Sequence, residues 1–165
     1  MQLVDFTSFE DIRAALGVSA EEIKDATLSL PLYVNRLRMD LESVSASTLT
    51  LHATLANVQP ASQTEQQARF EIALQLFATY SVAKHLTISL PLFSPREITD
   101  GKASLSRYAQ DPYRATIARV ESEYDTLRQN LAAALAGAES VSAPTVSLRP
   151  WFSAVTPTPD PVTGV

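Results

Sequence analysis

The chain contains no cysteine. It therefore holds no disulfide, no thiolate metal ligand and no thiol nucleophile, and this usage suits a protein made in a reducing compartment. Glycine is almost as scarce. Gly17, Gly101, Gly137 and Gly164 are too few and too scattered to build a phosphate-cradling loop. The two histidines, His52 and His85, stand in no His-Glu-x-x-His or Glu-x-x-His spacing, so a helical zinc or di-iron site lacks its ligands. There is no Gly-x-Ser-x-Gly elbow to expose a serine nucleophile. No apolar run approaches the ~20 residues that span a bilayer, and the first residues carry acids where a signal peptide carries bases. These absences predict a soluble, non-catalytic protein with no cofactor and no metal.

What charge there is falls unevenly. The formal net charge of −5 is mild and speaks against nucleic acid as the ligand of the whole surface. Residues 1–30 set six acids (Asp5, Glu10, Asp11, Glu21, Glu22, Asp25) against Arg13 and Lys24. Residues 94–119 set five bases (Arg96, Lys102, Arg107, Arg114, Arg119) against Glu97, Asp100 and Asp111. Opposed patches of this kind steer one subunit onto another. Tyr108 and Tyr113 interleave the basic stretch, yet its density is too low for a gripping nucleic-acid surface. A subunit interface, or a wall that DNA passes without recognition, fits better. Glu121, Glu123 and Asp125 sit off the apolar stripe beside Arg119 and Arg128, as on a solvated helix face.

The body reads as all helix. Ser8 caps a short helix with Phe9, Ile12 and Leu16 on one face and Gly17 at its end. Ser19 and Glu22 have capping-box spacing, with Val18 and Ile23 placed for a hydrophobic staple, and predict a second helix start. Pro31 opens a third helix, in which Leu30, Tyr33, Val34, Leu37, Leu41 and Val44 recur at helical steps. A less regular helix covers Thr48–Val58. Thr64 and Gln67 form another capping box, opening a helix to about Leu90. It is apolar almost all round (Phe70, Ile72, Leu74, Leu76, Phe77), which predicts a central, fully packed element with His85 as a buried, hydrogen-bonded core residue. Pro91 and Pro95 end it, and Asp100-Gly101 marks a turn. The last helix is predicted over 112–136, capped by Asp111. Its seam of Tyr113, Ile117, Val120, Tyr124, Leu127, Leu131 and Ala134 runs up to Gly137. Leu28-Ser29-Leu30-Pro31-Leu32-Tyr33 echoes Ile88-Ser89-Leu90-Pro91-Leu92-Phe93, but the flanks do not match and no duplication is implied.

Beyond Gly137 the composition changes. Residues 138–165 hold five of the ten prolines (Pro144, Pro150, Pro157, Pro159, Pro161) and the single tryptophan, Trp151, beside Phe152. Proline removes backbone donors and fixes φ, so this segment predicts an extended arm, up to roughly 85 Å long in polyproline-II geometry. The expected organisation is a helical domain over 1–137 followed by an arm over 138–165.

The run Phe9-Glu10-Asp11-Ile12-Arg13-Ala14-Ala15-Leu16-Gly17-Val18-Ser19, followed by Glu21-Glu22-Ile23 and Leu28-x-Leu-Pro-Leu-Tyr, resembles head–tail adaptor proteins of tailed bacteriophages, also called connector or head-completion proteins. So do Leu76-Phe77-Ala78-Thr79-Tyr80-Ser81-Val82-Ala83, Leu90-Pro91-Leu92-Phe93, Ile98-Thr99-Asp100-Gly101-Lys102 and the terminal Asp160-Pro161-Val162-Thr163-Gly164. The resemblance covers most of the body through helix junctions, not chemistry. It implies a small helical-bundle virion protein, made in the host cytoplasm, that assembles about twelve copies into a closed ring under the capsid portal. Such a ring extends the DNA channel and presents a docking surface to tail or nozzle proteins, while terminal arms clip onto the portal or neighbouring subunits. The resemblance places Arg149, Pro150, Trp151 and Phe152 at that contact, and buried aromatics are good interface anchors. It carries over no catalytic residue. A second reading of the residues is a helical scaffold module that uses the 113–134 seam to form a small homo-oligomer or to bind a partner helix.

Overall fold

In the computed structural model, residues 2–88, 97–100, 103–106 and 114–142 are described. A 3-10 turn, Leu3–Asp5, leads into α1 (Phe9–Leu16), whose first turn is capped as its sequence requires: the Asp11 amide donates to Ser8 Oγ at 3.0 Å. Gly17 closes α1 in the left-handed region, at φ 72°, donating to the Arg13 and Ala14 carbonyls.

The next segment departs from expectation. The Ser19–Glu22 capping box forms in both directions, at 2.7 and 3.4 Å, but no helix follows it. The chain makes a single turn, with the Ile23 amide on the Ser19 carbonyl, and helix resumes only at α2 (Asp25–Leu28). The reason is Arg13. Its Nε donates to the Ile23 carbonyl at 2.8 Å and its Nη2 pairs with Asp25, so the acceptor that would propagate a helix is already taken. Ile23 itself is buried, and tertiary packing wins over the local cap.

α3 (Pro31–Val44) starts on its proline and buries Tyr33, Leu37 and Leu41. α4 (Thr48–Leu55) is shorter than the predicted Thr48–Val58, ending where the Ala56 and Val58 amides turn back onto His52 and Leu55. α5 (Glu65–Thr87) opens with the predicted Thr64–Gln67 capping box, at 2.9 and 3.3 Å. Two short antiparallel strands follow, β1 (Glu97–Asp100) and β2 (Ala103–Ser106), paired from Glu97 with Ser106 to Asp100 with Ala103. The sequence reading had only a turn there. α6 (Arg114–Ser142) is the longest helix.

The architecture is an all-α bundle built around α5, which packs mainly on α6 and also on α1 and α3. α6 lies antiparallel to α5: Tyr124 stacks on Phe77 at 5.3 Å, while Gly137 faces Gln66 near the start of α5. The core takes Phe70, Leu74, Phe77 and Leu86 from α5, and Val120, Tyr124, Leu127, Leu131 and Leu135 from α6. The predicted end of the last helix at Gly137 is corrected. The helix runs on through Gly137 to Ser142 and buries Ala138 completely. The glycine serves close approach instead, since a Cβ there would lie 2.5 Å from Gln66 Oε1. The boundary proposed at 137/138 thus falls inside α6. The Asp111 cap, Pro112, most of the second Ser-Leu-Pro-Leu segment and the arm from 143 onward lie outside the described residues.

Candidate functional site

α5 is not packed on every side. Successive residues turn by about 100°, so a helix with three neighbours still leaves one strip open. On α5 that strip carries Ile72 and Leu76, which are 61% and 45% exposed, and Val4 of the 3-10 turn stands beside it at 58%. This corrects the expectation of a fully buried central helix, for a large aliphatic pair at i, i+4 here faces outward.

Two adjoining hollows flank the strip and share Ile72 and Gln75. The first, about 520 Å3, lies between the N-terminal turn and α5, with Asp5, Phe6, Phe9, His52 and Glu71 among its lining residues. His52 Nδ1 is 3.2 Å from both Glu71 oxygens, and its ring stacks on Phe6 with centroids 4.7 Å apart. The second, about 390 Å3, lies between α1 and α5 and is lined by Asp11, Ala14, Leu76 and Tyr80. Three carboxylates thus border the two hollows, those of Asp5, Asp11 and Glu71, with no lysine or arginine among the described lining residues. An apolar floor rimmed by carboxylates suits a cationic group attached to something apolar.

A second polar cluster lies on another side of α5. Asp40 of α3 accepts from Ser81 Oγ at 2.6 Å and from His85 Nε2 at 3.0 Å. Burial pushes the Asp40 carboxyl upward, but the hydrogen bonds from His85 and Ser81 and the charges of His85 and Lys84 outweigh it and hold the group below its ordinary value. Tyr124 completes the cluster, with the Lys84 ammonium 3.6 Å from its ring centroid. Burial, then the Asp40 charge, raises the Tyr124 phenol. Serine, histidine and aspartate meet here in the wrong order for nucleophilic catalysis. The serine donates to the aspartate, not to the imidazole, so no base stands ready to take its proton. The arrangement ties α3 to α5, and His85 is the hydrogen-bonded histidine expected, though half-buried.

Of the basic residues singled out in the sequence, Arg114 is exposed at the start of α6. Arg119 donates through Nη2 to the Ala15 carbonyl at 2.7 Å, placing a cation on the C-terminal turn of α1. Arg119 thus fastens α6 to α1. Arg96, Lys102, Arg107 and the arm residues Arg149, Pro150, Trp151 and Phe152 lie outside the described residues. Glu121, Glu123 and Asp125 are exposed, as a solvated face requires. Among the described residues no group of three or more His, Asp or Glu side chains is placed to hold a metal ion, and no helix is long and apolar enough to cross a membrane.

Sequence reasoning missed Arg13, Asp40 and Glu71. Ser81 and His85 stand four apart and announce a shared helix face, but nothing in the sequence ties them to Asp40, 41 residues from Ser81. In comparisons with family models, curated proteins and solved structures, the chain matches none.

Proposed function

We propose that this chain is a non-catalytic structural subunit that assembles into a closed ring between a phage capsid portal and the tail, extending the DNA channel and offering tail proteins a docking surface. The reading rests first on the helix-junction segments of α1, α3 and α5 that resemble head–tail adaptors. The observation that carries it from the structure is the open strip of α5: a small helical body presents an apolar, carboxylate-rimmed face with nothing of its own described residues covering it. A heterologous ring needs each subunit to offer two unlike faces, and such a strip supplies one of them. The basic residues Arg96, Lys102, Arg107 and Arg114 supply candidates for the other face or for the channel wall. The segment around Arg149–Phe152 reaches the portal or the next subunit.

The alternative, a small oligomer or helix binder working through the 113–134 seam, loses its surface. Val120, Tyr124, Leu127 and Leu131 of that seam are spent inside the bundle against α5. Purified chain mixed with a portal ring and weighed by native mass spectrometry tests the proposal. About one copy per portal subunit supports it, whereas a chain that ignores portals and stays monomeric sinks it.

A further inference from the structure

The two hollows along α5 have a match in the chain itself. Their rim is acidic, their floor apolar, and no lysine or arginine among the described lining residues neutralises them. The segment Arg149-Pro150-Trp151-Phe152 offers a guanidinium and two aromatic rings within four residues. Arginine is the preferred partner for a carboxylate at an interface because its planar fork donates two parallel hydrogen bonds. Trp and Phe are the side chains that gain most from a desolvated pocket. Spacing agrees as well. Two residues of extended, proline-containing chain advance about 6 Å, as does the single turn from Ile72 to Leu76. We propose that the α5 cleft, from Asp5 and Glu71 to Leu76 and Tyr80, is the receptor for the Arg149–Phe152 segment of a neighbouring copy, with Arg149 on the Asp5–Glu71 hollow and Trp151 against Ile72 and Leu76. The inference rests on the ring reading and names the contact that closes the ring.

The donor is a neighbour for a reason of reach. α6 runs toward the start of α5 and passes Gln66 at Gly137, so its last residue, Ser142, stands beyond the first turn of α5. Glu71 and Gln75 point some 140° and 180° around α5 from Gln66. Carrying the same chain to the cleft means travelling about half the circumference of a helix 10–12 Å wide, roughly 17 Å, and descending about 13 Å along α5 from Gln66 to Gln75. The added length of α6 past Gly137 must also be retraced. The six residues 143–148 span only about 19 Å in polyproline-II geometry. A neighbouring subunit placed beside α5 has no such detour.

The absence of native cysteine makes the test clean. Gln75→Cys, exposed and bordering both hollows, and Ser153→Cys, just past the aromatic pair, leave every proposed contact in place. The two full-length single variants, distinguished by tag length, are mixed with portal, oxidised and analysed on a non-reducing gel, with the junction peptide identified by mass spectrometry. A disulfide joining the two introduced thiols across different chains is expected. Glu71→Arg should lower its yield at least tenfold, and Arg149→Glu in the partner chain should restore it. In the full-length double variant, a ladder of covalent multimers is expected. A link found only within one chain, or a yield indifferent to Glu71→Arg, overturns the proposal. Unoxidised samples weighed alongside separate the two ideas. Assembly on the portal without the link leaves the ring reading standing and removes this cleft, whereas no assembly removes both.

Discussion

Replacing Asp40 by alanine tests whether the α3–α5 polar cluster stabilises the bundle. The substitution removes one carboxylate and orphans two donors, the Ser81 hydroxyl and the His85 imidazole, now at 2.6 and 3.0 Å from it. Ser81 is wholly buried, while Asp40 and His85 keep 20% and 22% of their side-chain exposure, so water re-solvates the imidazole but not the hydroxyl. A hydrogen bond to a charged group contributes about 1.5–3 kcal/mol, and partial exposure brings the His85 share toward the low end. The expected loss is about 2–3 kcal/mol, a lowering of Tm on the order of 10 °C for a domain of this size. Urea unfolding followed by circular dichroism measures it. The pH dependence supplies a second readout. Because the folded pKa of Asp40 is depressed, its contribution is fully present above the unfolded carboxylate value and fades as pH falls through the lower, folded value. Asp40→Asn should therefore lose less stability than the parent on acidification below about pH 4. A double-mutant cycle with His85→Ala isolates the pair. A loss under about 0.5 kcal/mol with no coupling to His85 would falsify the account of this cluster.

Gly137→Ala should stabilise the chain by about 0.5–1 kcal/mol, because glycine in a helix interior costs that much and the only near atom is the far end of an exposed Gln66 side chain. A lowered urea midpoint would mean that Gln66 cannot swing aside. Arg13→Met keeps the apolar stem but strips the Ile23 carbonyl of its donor, for an expected loss of about 1–3 kcal/mol. Asp25→Asn should change stability little, since Asp25 is mostly exposed and its ion pair is screened. Equal losses from the two would reverse that ranking of carbonyl bond over ion pair.

The helical class, the caps at Ser8 and Thr64, the αL residue at Gly17 and the proline start of α3 were legible because each depends on residues within one turn. Legibility failed where distant residues decide. Ser19 and Glu22 form their box without a helix because Arg13, folded back from α1, takes the Ile23 carbonyl. Gly137 resembled a helix end because the sequence does not show that Gln66 approaches there. The apolar pattern of α5 says which residues are hydrophobic but not how many neighbours exist to cover them, so Ile72 and Leu76 were placed inside. The acidic start was visible as composition. Its convergence with Glu71 around one cleft depends on how the N-terminal turn and α1 lie along α5.

That convergence separates folding from association on one helix. Leu76 and Phe77 are neighbours in sequence, yet Phe77 has no exposed surface and stacks on Tyr124, while Leu76 faces out. Truncating Phe77 to alanine deletes a core ring and should cost about 3–5 kcal/mol, enough to unfold a marginal bundle. Truncating Leu76 removes side-chain area that folding leaves largely in water, so stability should move by no more than about 0.5 kcal/mol. If the strip serves association, Leu76→Ala must instead weaken assembly on the portal, as removal of an interface anchor does. Urea unfolding and native mass spectrometry on the two variants give the four numbers needed. A Leu76→Ala chain that folds and assembles like the parent would mean that the exposed strip is an idle surface, and the case for association through α5 would fall with it.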